Sequence, residues 1–209
     1  ADWYNHAVKK FDSNSTYISS IGGGGTRIED AKKTIKKLVS SSDLTKGANF
    51  GLMTWHSYAQ QRVKIDSAGA NNIYNTIDRY KHGGGTNLDR AMILARNYFN
   101  GSQSPINPNA NCQKNFLIVI SDGIWYDSQA SKIAETLYKT KGIQTFVIGF
   151  HTGGNSNYTK LAKAGGTYPD SPLYSSNWQH LYETLSAYIR QAISSRLTFT
   201  APVVMPGIS

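Results

Sequence analysis

The chain has very little cysteine and no long apolar segment. Its single cysteine, Cys112, excludes an internal disulfide framework and any zinc site built from cysteines. Cys112 is either a free buried thiol or bonded to a cysteine outside this segment, and we favour the second interpretation. No apolar run approaches the roughly 18 residues that a membrane-spanning helix requires, so we expect a soluble chain.

Acidic residues are also scarce. Lysine and arginine total 22 against 13 aspartates and glutamates, which gives a net charge of +9. Four lysines, Lys32, Lys33, Lys36 and Lys37, recur along one predicted helix, where a solvated outer face is the ordinary interpretation. No nucleic-acid-binding motif accompanies them, so nucleic acid is not the expected partner. A basic surface would instead steer acidic partners or anionic cell surfaces.

Catalytic motifs are incomplete. The string His82-Gly83-Gly84-Gly85 matches the oxyanion loop of lipases and esterases, but the chain contains no Gly-x-Ser-x-Gly elbow. The glycine run at residues 22–25 lacks the lysine of a phosphate-binding loop. We therefore expect no catalytic residues and a protein that is not an enzyme.

Helical and strand patterns alternate along the chain. The continuous apolar run Phe116-Leu117-Ile118-Val119-Ile120 is typical of a parallel strand covered on both faces. The order of elements predicts an α/β fold, doubly wound, with a mainly parallel central sheet and helices on both faces. Apolar periodicity predicts strands near residues 50–55, 58–65, 116–120, 143–150 and 173–174, and helices near 26–40, 73–80, 87–99, 128–141, 158–164 and 178–194.

Two loops should lie beyond the carboxyl ends of these strands, where doubly wound folds bind ligands. One contains Thr86 and leads into a helix; the other contains Asp122, directly after the most apolar strand. A hydroxyl and a carboxylate suit a hard cation such as Mg²⁺, which keeps several waters and leaves a position for an incoming carboxylate. The alternatives are a helix cap for Thr86 and a turn at Gly123 for Asp122.

These loops carry a resemblance to a known family. Gly84-Gly85-Thr86-Asn87 and the segment 116–123 resemble two metal-contacting loops of von Willebrand factor A domains. The resemblance implies an A-type domain over residues 26–195, after an irregular insert or N-terminal loop at 1–25 and before a linker or following domain at 196–209. It also implies a divalent cation held by Thr86 and Asp122, most readily Mg²⁺, with Mn²⁺ or Ca²⁺ as alternatives. Trp125 and Tyr126, beside this site, would contact a partner or pack against the next helix.

A narrower resemblance lies near the end of the chain. Residues 196–202, Arg-Leu-Thr-Phe-Thr-Ala-Pro, resemble the exit from this domain in PilY/PilC adhesins at type IV pilus tips. This implies a non-enzymatic adhesion module, extracellular, at a pilus tip (fimbrium) or the outer membrane. Its partners would be pilus subunits and a protein or host-cell ligand that offers a carboxylate. The alternative is a structural pilus-assembly module with a vestigial metal site.

One family motif is missing. A domains take three metal-ligating oxygens from Asp-x-Ser-x-Ser at the end of their first, central strand. Asp12, Asn14 and Thr16 have this spacing, but the preceding segment would bury Lys9 and Lys10 in the sheet. We therefore predict that the first central strand is absent from this chain and that the metal site is incomplete. Upstream residues, another chain or another segment such as 197–204 must then fill the gap, because the neighbouring strands need hydrogen-bond partners.

Overall fold

The computed structural model describes residues 25–81, 84–110, 113–150, 153–194 and 198–206. Strands and helices alternate through this part of the chain. The strands are β1 (Ala48–Trp55), β2 (Ala59–Asp66), β3 (Gln113–Ser121), β4 (Gln144–Phe150), β5 (Leu173–Ser175) and β6 (Thr198–Pro206). The helices are α1 (Gly25–Val39), α2 (Ser42–Thr45), α3 (Gly69–Thr76), α4 (Leu88–Asn100), α5 (Ala130–Lys141), α6 (Ser156–Ala164) and α7 (Trp178–Ser194), with a 3₁₀ turn at Ile77–Arg79.

The strands form one six-stranded sheet in the order β2-β1-β6-β3-β4-β5. Strand β2 pairs antiparallel with β1, and every other pairing is parallel. Both outer strands limit edge pairing: β5 has three residues, and β2 alternates between exposed and buried positions. The predicted α/β class, with a mainly parallel sheet, is confirmed.

Two apolar cores lie on opposite faces of the sheet. Successive residues of a strand point to opposite faces, so Ile118 and Ile120 enter one core while Leu117 and Val119 enter the other. Helices α1, α3 and α7 cover the first face, and α4, α5 and α6 cover the second. Because β3 is buried on both faces, its run is apolar without alternation, as the sequence indicated.

The centre of the sheet differs from expectation. Residues 196–209 were expected to form a linker or the start of a following domain, yet β6 lies between β1 and β3 and pairs in parallel with both. Within the described residues, the central position is therefore filled from the end of the chain, one of the alternatives named above. Its pairing satisfies backbone groups that β1 and β3 would otherwise leave unpaired.

Proline explains why the sequence of β6 does not look like a central strand. Pairing with β3 runs from Gln113–Thr198 to Asn115–Thr200, stops, and resumes at Ile118–Val203. Pro202 lies in this gap, and proline has no N–H to donate to a neighbouring strand. Proline within a sheet is usually confined to edges, so a pattern-based reading places this segment outside the core.

Some sequence-based interpretations fall on residues that the structure does not describe. The insert at 1–24, including Asp12, Asn14 and Thr16, lies outside the described residues, and so do His82, Gly83 and Cys112. Among the residues that are described, none of the helices combines the length and apolarity needed to cross a membrane.

Gly69 tests the packing of α3 against β1. A Cβ atom at this position would overlap the carbonyl oxygen of Phe50, which is backbone and cannot rotate away. We expect Gly69→Ala to lower the free energy of unfolding by about 3 kcal/mol, because α3 must shift away from the sheet. Chemical denaturation measures this change. Gly84→Ala, where an added Cβ meets no atom within 4 Å, is the matched control, and equal loss in both variants would contradict the packing.

Candidate functional site

Parallel pairing brings the carboxyl ends of five strands to one edge of the sheet, which we call the rim. The last residue of β1, Trp55, lies opposite Pro206 of β6, and Ser121 of β3 lies opposite Gly149 of β4. The loops that leave these strands therefore start side by side. In an open α/β sheet this edge is where ligands bind.

The glycine–threonine loop, residues 84–87, is fastened to the end of β1. The Ser57 hydroxyl donates to the Gly84 carbonyl over 2.5 Å, and the Ser57 N–H donates to the same oxygen over 3.1 Å. On the other side, the Asn87 N–H donates to the His56 carbonyl over 2.9 Å. Asn87 then caps α4, since its side-chain oxygen accepts from the Arg90 N–H at 3.2 Å. Thr86 is thus held between two anchored residues and is not itself the cap.

The aspartate loop, residues 121–126, is fastened to α6. The Tyr158 hydroxyl donates to the Gly123 carbonyl over 2.5 Å, and the Asn157 amide donates to the Trp125 carbonyl over 2.6 Å. The Ser121 hydroxyl also accepts from the Gly123 N–H at 3.3 Å. These bonds set the backbone on either side of Asp122, which is partly exposed.

The two loops meet. A Cβ atom built on Gly123 would lie 2.8 Å from the Thr86 hydroxyl oxygen, closer than real Cβ contacts allow. The Thr86 side chain therefore rests against the backbone of the residue that follows Asp122. The convergence of the two loops, which the sequence predicted, is present in the fold, and glycine at position 123 is what permits the approach.

Asp89 connects the helix that follows the glycine–threonine loop to the helix that follows the aspartate loop. Its carboxylate, in the first turn of α4, accepts hydrogen bonds from the N–H groups of Ser128, Gln129 and Ala130 at 3.3, 2.9 and 2.7 Å. It also accepts from the Ser128 hydroxyl at 2.5 Å. The first N–H groups of a helix lack partners within the helix, so Asp89 caps α5 from another element. The Asp89 carboxylate thereby fixes the start of α4 relative to the start of α5.

These bonds lower the pKa of Asp89 below its ordinary value of 3.8. Burial alone would raise the pKa, but the hydrogen bonds from Ser128, Gln129 and Ala130 favour the charged form and outweigh it. The positive end of the α5 dipole acts in the same direction. Asp89 is therefore charged at neutral pH.

The side-chain groups of Thr86 and Asp122 are of the chemical types that bind a hard cation. Thr86 would supply a hydroxyl and Asp122 a carboxylate, the ligand types that Mg²⁺ takes together with water. Within the described residues, no group of three or more histidine, cysteine, aspartate or glutamate side chains has an arrangement that could hold a metal ion. Among the described residues, Thr86 and Asp122 are the two ligands that the sequence predicted for this site, and that the site is incomplete stays a prediction.

The structure separates the two aromatic residues predicted to contact a partner. Trp125 is 1% exposed and packs against Tyr158, with 4.5 Å between ring centroids and the rings tilted by 56°, so it lies in the core. This corrects the partner-binding interpretation for Trp125 in favour of the packing alternative. Tyr126 is 86% exposed and remains available, and Ile124 beside it is 67% exposed.

Sequence reasoning missed Asp89, Ser57 and Ile124. An acidic residue in the first turn of a helix indicates an interaction with that helix's own dipole. The partners of Asp89 lie about forty positions away. Ser57 was likewise hidden, since it is a turn residue whose partner, Gly84, is reached only through the fold.

Comparison with known proteins agrees with this architecture. A family model of the von Willebrand factor type A domain matches residues 14–187, more than half of the chain, and the protein therefore belongs to this family. Domains of this family typically mediate protein–protein binding through a metal site, and they are generally not enzymes. No curated protein matches the chain.

Among solved structures, proximal thread matrix protein 1 from the mussel byssus is similar, with a TM-score of 0.62 and 22% identity over 78% of this chain and 41% of that chain. A structure of that protein with a zinc-occupied MIDAS motif gives a TM-score of 0.62 at 18% identity, covering 78% and 42% of the two chains. At these identities the similarity shows the fold alone. The chain spans about two fifths of the length of the mussel protein.

Removing the Asp89 carboxylate should loosen the rim. We expect Asp89→Ala to lower the free energy of unfolding by about 2 kcal/mol at pH 7, because the α5 N–H groups lose their acceptor. The pKa of Asp89 is lower in the folded state, so its stabilisation is complete above about pH 5 and is lost as the pH falls through 3.8 and the folded pKa. Denaturation of wild type and variant across pH 3 to 7 measures this.

The control is Glu183→Gln, which removes an exposed carboxylate on α7. A difference between wild type and Asp89→Ala that stays constant from pH 7 to pH 3, or that equals the effect of Glu183→Gln, would contradict the role of Asp89.

Proposed function

We propose that this A-type domain binds a partner protein through a divalent cation held at the rim by Thr86 and Asp122. The contact between the Thr86 hydroxyl and the backbone of Gly123 is the observation that carries the proposal. When bound, the cation supplies a positive charge with an open coordination position for a carboxylate of the partner. Mg²⁺ suits the hydroxyl and carboxylate donors best, with Mn²⁺ or Ca²⁺ as alternatives.

Exposed apolar side chains around the rim support partner binding. Ile124 and Tyr126 project from the aspartate loop, and Tyr58 is exposed on the neighbouring turn after β1. Apolar residues surrounding a charged centre are common at protein interfaces, where aromatic residues are enriched. In this arrangement the cation gives specificity for a carboxylate, while Ile124 and Tyr126 contribute contact area.

The biological setting that we propose is a type IV pilus. The chain resembles the domain of PilY/PilC adhesins at residues 196–202, and its composition favours an exported protein. The partners would be pilus subunits and a protein or host-cell ligand at the cell surface, the pilus tip or the outer membrane. The mussel relative is a byssal matrix protein, and nothing about its partners transfers to this chain.

Calorimetric titration with MgCl₂ and MnCl₂ tests the cation site. We expect saturable binding to the wild-type chain and a loss of affinity of about tenfold or more in Asp122→Asn and Thr86→Val, since the first removes the negative charge of a ligand and the second removes a hydroxyl ligand. Gly123→Ala should also weaken binding, because the added methyl displaces the Thr86 hydroxyl without removing a ligand.

Glu183→Gln is again the control, because it changes the net charge as Asp122→Asn does, at an exposed position of α7 outside the rim loops. Equal affinities in the wild type, Asp122→Asn and Thr86→Val would refute the cation site. Wild-type pilus assembly and adhesion in a strain carrying both rim substitutions would instead support the structural alternative, with a vestigial site.

A further inference from the structure

A second surface, lined by residues outside the rim loops, has the properties of a ligand site. A groove of about 670 Å³ runs along α1 and is closed by Tyr74 of α3 and Trp178 at the start of α7. We call it the α1 groove; its lining is Glu29, Lys32, Lys33, Lys36, Lys37, Ser40, Tyr74, Asp78 and Trp178. None of these residues belongs to the rim loops, and the volume lies within the range of about 300–1,000 Å³ typical of ligand sites.

The groove carries an excess of positive charge. Lys32 is ion-paired with Glu29 at 3.5 Å, and Lys36 is ion-paired with Asp78 at 2.7 Å. Lys37 is exposed and takes part in no ion pair within the described part of the chain. The sequence predicted that the lysines of α1 form a solvated outer face. This prediction is wrong for Lys32, which is buried, and only partly correct for Lys33, which is partly exposed.

Aromatic rings position the ammonium groups. Lys33 Nζ lies 4.2 Å from the centroid of the Trp178 ring, and Lys37 Nζ lies 4.4 Å from that of Tyr182. Lys36 Nζ lies 5.0 Å from the Tyr74 ring. Cation–π contacts of this kind hold a lysine in place, and the exposed Lys37 keeps the other side of its ammonium group able to bind an anion. The groove therefore combines fixed positive charges with apolar walls.

We propose that the α1 groove binds an acidic peptide segment of a partner protein. Residues 29–39 of α1 span about 15 Å, the length of about five residues of extended peptide. Carboxylates of the segment pair with Lys37 and, alongside Asp78, with Lys36, and its apolar side chains lie on Tyr74 and the lysine stems. Tyr74 is 44% exposed, which leaves its ring available for this contact.

The same residues argue against nucleic acid in this groove. Glu29 and Asp78 place two carboxylates in the lining, where they would repel a continuous row of phosphates. Nucleic-acid binding also relies on neutralising many phosphates along an extended path, about six to ten in well-studied complexes. Four lysines within two turns of a single helix suit a short acidic segment better.

Fluorescence anisotropy with a labelled hexapeptide of alternating glutamate and leucine tests the proposal at about 0.15 M salt. We expect saturable binding by wild type, a loss of affinity of about tenfold in the double variant Lys36→Gln/Lys37→Gln, and a smaller loss in Tyr74→Ser. The same peptide with glutamine in place of glutamate should not bind. Thermal unfolding of each variant checks that the fold is kept.

The chain offers a matched control in a second lysine-lined groove between α5 and α6, of about 480 Å³. The double variant Lys139→Gln/Lys160→Gln removes the same charge there and should leave peptide affinity within about twofold of wild type. An equal loss in both double variants would overturn the proposal, because the peptide would then respond to overall charge. Absence of saturable binding, or tighter binding of an oligothymidylate of equal charge that depends on Lys36 and Lys37, would also overturn it.

Discussion

Parallel pairing at the centre of the sheet is the constraint on which the rest of this structure depends. Strand β6 hydrogen-bonds to β1 on one side and to β3 on the other, so these strands share one direction and end at one edge. Without a strand between them, β1 and β3 would each carry a row of unpaired backbone groups. The rim exists because this alignment brings the carboxyl ends of β1, β6 and β3 together. The loops that follow β1 and β3 therefore begin close to each other.

The rim itself is held by polar bonds that reach across elements. Ser57 fastens the glycine–threonine loop to the turn after β1, Tyr158 fastens the aspartate loop to α6, and Asp89 joins the first turn of α4 to that of α5. Most of these groups are acceptors or donors that a helix end or a turn leaves unsatisfied. Because these hydrogen bonds join different segments of the chain, they hold the Thr86 side chain against Gly123. As a consequence, the Thr86 hydroxyl is held beside the residue that follows Asp122.

The sequence could predict features that depend on local periodicity, and it could not predict those that depend on distant partners. The apolar run of β3 and the heptad-like spacing along α7 identify their elements because burial on the sheet determines both patterns. The central position of β6 was not predicted because Pro202 is atypical of a central strand. The role of Asp89 was not predicted because its partners are remote in sequence. The sequence left the role of Trp125 open, because a tryptophan in a loop can contact a partner or pack in the core. Its burial against Tyr158 shows that it packs in the core.

We propose two binding surfaces of opposite chemistry on this fold: a rim that offers oxygen ligands to a cation, and an α1 groove that offers ammonium groups to an acidic segment. The rim is the central claim, and backbone amide NMR during addition of MgCl₂ tests it most directly. We expect the amide chemical-shift changes to concentrate in residues 84–87 and 121–126 and to saturate together. Absence of shifts there, or shifts confined to other acidic side chains, would contradict it.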